Sequence, residues 1–74
     1  MKDLNDVLAK KFLETCDNIK NAQNSDDLNF YEGSACGIAS GLLLSGLIDV
    51  DCYTLMHLYI DVMRVECYLK EDAR

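Results

Sequence analysis

Basic side chains are scarce in this chain: seven lysines and arginines stand against thirteen aspartates and glutamates in 74 residues, a net charge of −6. Proteins that grip a phosphate backbone do so with clustered Lys and Arg, so the composition speaks against direct nucleic-acid binding. Catalytic equipment is equally thin. There is a single histidine, no glycine-rich phosphate loop and no nucleophile placed with a base, so neither an enzyme nor a cofactor is expected. The four cysteines, Cys16, Cys36, Cys52 and Cys67, form no CxxC pair, whereas zinc modules rely on such close ligand pairs. No metal is expected, and the cysteines read as small core hydrophobes that stay thiols in a reducing compartment.

The opening MKDLNDVLAKKF alternates charged and apolar residues and lacks the apolar core of a secretory leader, which predicts a cytoplasmic protein. The longest uncharged run, residues 33–48, is bounded by Glu32 and Asp49. As a helix it would rise only ~24 Å, against a hydrocarbon core of about 30 Å. It also lacks flanking Lys, Arg or an aromatic belt, so no membrane partner is expected.

Half of the residues are apolar, enough for a folded domain rather than a disordered tail. A chain this short buries only roughly 60% of its unfolded surface, which leaves stability marginal and makes association with a partner favourable. The periodicity predicts an all-α fold of three helices in one domain, residues 1–74, with helices at about 3–22, 27–45 and 50–70. In the first, Leu4, Leu8, Phe12, Cys16 and Ile19 recur at spacings of three and four with Val7 beside them, which is one buried stripe on an amphipathic helix. Asp3 is the expected cap of its first turn. The polar cluster of residues 21–27 then joins two antiparallel helices, with Ser25 or Asp26 as the N-cap oxygen.

The second helix carries two features. Leu28, Tyr31, Ala35, Ile38 and Leu42 form an apolar ridge, while Gly33, Gly37 and Gly41 recur every fourth residue and Ser45 extends the row. Three glycines inside a helix cost roughly 1 kcal/mol each relative to alanine. The expected compensation is close approach of another helix along the bare stripe. Gly46 fits the left-handed position that ends a helix, Leu47 and Ile48 fold back as an apolar contact, and Asp49 or Asp51 caps the third helix.

On the third helix, Tyr53, Leu55, Met56, Tyr59, Ile60, Val62, Met63, Cys67 and Leu69 fall within an arc of roughly 200°. Thr54, His57, Asp61, Arg64 and Tyr68 make a narrow polar strip on the far side, with Leu58 and Val65 at its edge. A helix in a lone three-helix unit hides about 100° or somewhat more, so the excess predicts an interface, and two-fold self-association is the default for soluble oligomers. The expected interface residues are Gly33, Gly37, Gly41, Tyr53, Leu55, Met56, Tyr59, Ile60 and Met63.

Three chemical constellations in the sequence each have a plainer reading. His57, Asp61 and Arg64 share a helix face on which Asp61 could orient the imidazole, although the same spacing makes an ordinary ion-pair strip. Cys52, His57 and Cys67 could hold a metal with Cys16 or Cys36, but residues 52 and 57 point about 140° apart on a helix. The corner at Gly46 invites a helix-turn-helix reading, which a third helix with one arginine does not support. The sequence therefore predicts a small acidic protein-interaction module, a regulator or inhibitor that docks on a larger protein and forms a homodimer. A nucleic-acid mimic acting through its carboxylates and a small-molecule or metal-binding helical protein are the alternatives.

Overall fold

The computed structural model describes the backbone of residues 4–72 and the side chains of residues 6–70. Three helices follow one another, α1 (Leu4–Lys20), α2 (Ser25–Leu44) and α3 (Val50–Asp72), and each packs against the other two. Among the described residues there is no strand, so the fold is an all-α three-helix domain. The connections are too short for anything but reversal at each corner, so the helices run up, down and up, with α1 and α3 parallel. The capping role expected of Asp3 lies outside the described residues.

The core is built from the predicted stripe of α1 and the ridge of α2. Phe12, Cys16 and Ile19 close against Leu28 and Ala35 of α2 and against Ile60, Met63 and Cys67 of α3. Leu42 and two small residues complete the buried set. Ala39 is buried on α2, and Thr15 is buried on α1 with its hydroxyl donating to the Lys11 carbonyl at 2.7 Å. This back-bond satisfies the hydroxyl within its own helix, which is how a polar residue sits in the core without a partner helix group. Val7, expected beside the stripe, is 48% exposed.

The cap of α2 is Asn24, not Ser25 or Asp26. Its Oδ1 accepts from the Asp27 amide at 2.8 Å, while its Nδ2 donates to the Asp27 carboxylate at 3.3 Å. Several neighbouring residues can cap, and the one that takes the extended backbone conformation, φ −153° and ψ 170°, wins the role. At the other end Gly46 adopts φ +76°. Its amide donates to the Leu43 carbonyl and that of Leu47 to the Leu42 carbonyl, both at 3.0 Å, which is the paired hydrogen-bond pattern of a Schellman stop. Ser45 is part of this ending, its hydroxyl donating to the Gly41 carbonyl. Asp49 caps α3 by accepting from the Cys52 amide at 2.8 Å.

The far end of the bundle is tied by side chains. Lys70 donates to Asn21 Oδ1 at 2.6 Å and the Cys67 thiol donates to the Ala22 carbonyl at 3.7 Å, so the last turns of α3 lie against the connection between α1 and α2. The Cα trace measures 41 by 26 by 16 Å. A body that thin shares one small core among three helices, and each keeps an uncovered outer face.

Candidate functional site

The site with most to say is α3, because it is apolar on two opposed sides. Tyr53, Met56, Ile60, Met63 and Cys67 step three and four residues at a time along the inner side, where Ile60 is 1% exposed and Met63 and Cys67 are buried with it. Leu55, Leu58, Val62, Val65 and Leu69 repeat the same spacing two residues later. Two residues are about 200° on a helix, so this second row stands on the opposite side, and its members are between 50% and 66% exposed. Spacings of three, four, three and four are the a and d positions of a heptad.

Each edge of the outer row carries one tyrosine and one carboxylate. On the side toward α1 lie Tyr59, its ring centroid 6.3 Å from that of Phe12, and Glu66, 3.6 Å from the Lys20 ammonium. On the other edge lie Asp61 and Tyr68, both exposed. Arg64 follows beyond that edge and reaches Glu32 of α2 at 3.3 Å.

The expected interface residues do not stay together. Leu55 and Tyr59 belong to the outer face and its edge, Tyr53 and Met56 are half-buried, and Ile60 and Met63 are core residues already covered by the chain's own helices. Leu58 and Val65, read from sequence as the edge of a polar strip, are in the middle of the apolar face with Val62. Both rows of α3 are apolar, so on a helical wheel they merge into one wide arc. The signal that separates them is the heptad spacing of each row.

Gly33, Gly37 and Gly41 lie on the side of α2 that faces away from the core. A Cβ built on any of them meets no atom within 4 Å, so no helix of this chain approaches along the row. The helix expected along the glycines is thus not supplied within this chain: the ridge with Ala35 and Ala39 faces the core, and Gly33, Gly37 and Gly41 face outward.

The titratable groups give little chemistry. Burial, reinforced by the charges of Asp17 and Cys36, pushes the Cys16 thiol up to about 11. Burial also raises Cys36, with Glu32 and Asp61 acting in the same direction and Arg64 against them. Both are poor nucleophiles in this state. The His57 ring packs on Tyr53 with centroids 4.5 Å apart, its Nε2 has no hydrogen-bond partner, and Asp61 does not orient it. Among the described residues, no three His, Cys, Asp or Glu side chains converge as metal ligands, and no helix is long and apolar enough to cross a membrane.

Where α1, the Gly46 corner and α3 meet there is an open apolar groove of about 390 Å³, lined by Phe12, Leu13, Leu42, Leu47, Ile48 and Met56 among others. It is the expected fold-back of Leu47 and Ile48, left partly unfilled. No protein family, curated protein or solved structure matches the chain.

Proposed function

We propose that the chain is a small protein-interaction module that works as a regulator or inhibitor of a larger protein and associates with itself. The observation that carries this reading is the outer face of α3. Five large aliphatic side chains at heptad spacing are held half exposed on a rigid helix, and contiguous apolar surface of that kind marks an interface. A helix-in-groove or helix-on-helix contact is the recognition mode that such a row fits. The net charge of −6 keeps the free form soluble and favours a basic surface on the larger partner. Four unpaired thiols fit a reducing compartment such as the cytoplasm.

The test is co-purification from the source cells, comparing the wild type with Val62→Asp. A protein retained by the wild type and lost with the variant supports the reading. Identical retention by both overturns it.

A second reading rests on the groove at the Gly46 corner, whose lining is nearly all apolar and whose size suits a small apolar ligand. Such a ligand would raise the melting temperature in proportion to its concentration, and Leu13→Asp would abolish the rise. The mimicry alternative gains nothing comparable, because Lys10, Lys11 and Lys20 interrupt the carboxylates of α1.

A further inference from the structure

We infer that the outer face of α3 pairs with the same face of a second copy, antiparallel, with Val62 against the partner copy's Val65 and Leu58 against its Leu69. This rests on the reading of that face as an interface, and adds the occupant, the direction and the register. Three observations select them.

The first is side-chain size. An antiparallel pair of heptad rows sets each a position opposite a d position. Centring the two-fold axis between Val62 and Val65 places valine on valine and leucine on leucine in every layer from 58 to 69. Shifting the register by one heptad opposes leucine to valine in all four apolar layers; the end layers do not discriminate, since Leu69 then falls opposite Asp51 whereas in the chosen register Leu55 falls opposite Asp72.

The second is charge. In the chosen register Tyr59 lies next to Glu66 of the other copy, and Asp61 next to its Tyr68. A phenol donates to a carboxylate at both edges and, by symmetry, twice over. A parallel pair instead brings Asp61 beside Glu66 on both sides, and the shifted antiparallel register brings Asp61 beside Asp61. Like charges so placed are destabilising. Two acidic residues and two tyrosines at the edges thus act as the e and g positions that set partner and orientation in paired helices.

The third is area. At the exposures found for the five aliphatic residues, Tyr59 and Tyr68, the face offers roughly 600 Å² per copy, near the ~800 Å² per partner of a specific interface and at its weaker end. That is the size of a reversible pairing rather than of an obligate dimer. The chain folds around its own core first, since Ile60, Met63 and Cys67 are covered without a second copy.

Sedimentation equilibrium of the wild-type chain in reducing buffer, from about 5 to about 500 µM, tests this. The expected result is a mass that climbs to twice that of the chain and no further. Val62→Asp and Leu58→Asp should each stay monomeric with the helical circular dichroism intact, because both positions are exposed in the single copy. Orientation is read from charge. Tyr68→Lys should dimerise about tenfold more tightly than Tyr68→Glu, and that difference should collapse at about 0.5 M NaCl. Glu66→Lys should not tighten the dimer.

A wild type that is monomeric throughout overturns self-pairing while leaving the interface reading to the co-purification test. A dimer indifferent to Val62→Asp overturns both. Tightening by Glu66→Lys, with no difference between the two Tyr68 variants, overturns the antiparallel direction in favour of a parallel one.

Discussion

Ile60 and Val62 stand two residues apart on α3 and on opposite sides of it, the first 1% exposed within the core and the second half exposed on the outer face. Their chemistry is nearly the same, and their surroundings decide what each contributes. The pair gives the most direct check on the two-sided character of α3. At concentrations where the single copy dominates, Ile60→Ala should cost about 2–4 kcal/mol in urea unfolding, the transfer loss plus a cavity. Val62→Ala should cost under about 1 kcal/mol there. Equal losses would mean that the two sides of the helix are not distinguished.

The glycine row makes a prediction opposite to the one its spacing first suggests. With no atom within 4 Å of a Cβ at Gly37, Gly37→Ala removes backbone entropy from the unfolded chain and meets no obstacle. Stability should rise by about 0.5–1 kcal/mol, read as a higher urea midpoint. Gly37→Leu should likewise leave the single-chain fold intact. A clear loss of stability in either would place another helix along that row.

Gly46 is the one position where the backbone itself demands glycine, at φ +76°. A side chain there strains the left-handed turn that closes α2, although a Cβ would meet no neighbour. Gly46→Ala should therefore lower stability by about 1 kcal/mol, and Gly46→Asn by less, since Asn tolerates this region better. Thermal melts of the two variants side by side check the order.

Cys16 ties stability to alkaline pH. Its thiol is pushed up to about 11 in the folded chain from an ordinary value of 9.0. Below pH 9 both folded and unfolded chains carry the neutral thiol and nothing is lost. Between 9 and 11 only the unfolded chain ionises, so stability falls as pH rises, by up to roughly 2–3 kcal/mol. The urea midpoint of the wild type should drop between pH 8 and pH 10.5 by more than that of Cys16→Ala, which starts lower and lacks this titration.

Much of the fold can be read from the residues alone, and the exceptions have physical causes. Phe12, Cys16 and Ile19 are apolar on one side of a helix whose other side is charged, so the pattern has one solution. The stop at Gly46 is equally plain, because a glycine follows an apolar run and an acidic cap residue comes three positions later. Thr15 and Ala39 are missed because neither is a strong hydrophobe: one is buried by bonding its own helix, the other by being small. Asn24 is indistinguishable from Ser25 and Asp26 as a cap until the backbone shows which is extended.

The two rows of α3 are harder for a different reason. A hydrophobic arc is informative when the other side is polar, and here Ile60 and Val62, Met63 and Val65 cancel one another around the axis. Packing alone tells which row turns inward. The glycines of α2 carry the converse ambiguity, since a bare stripe is compatible with a close contact or with open solvent, and Ala35 and Ala39 take the inward side.

The tie between Lys70 and Asn21, with the Cys67 thiol on the Ala22 carbonyl, joins parts of the chain that lie nearly fifty residues apart. The connection between α1 and α2 is thereby anchored by a helix that is synthesised after both of the helices it joins. On a ribosome that loop waits for α3 to emerge before it is held. In the finished protein its amides should exchange with deuterium at the pace at which the last turns of α3 open, so that loosening that helix is felt first at a corner some fifty residues earlier in the chain.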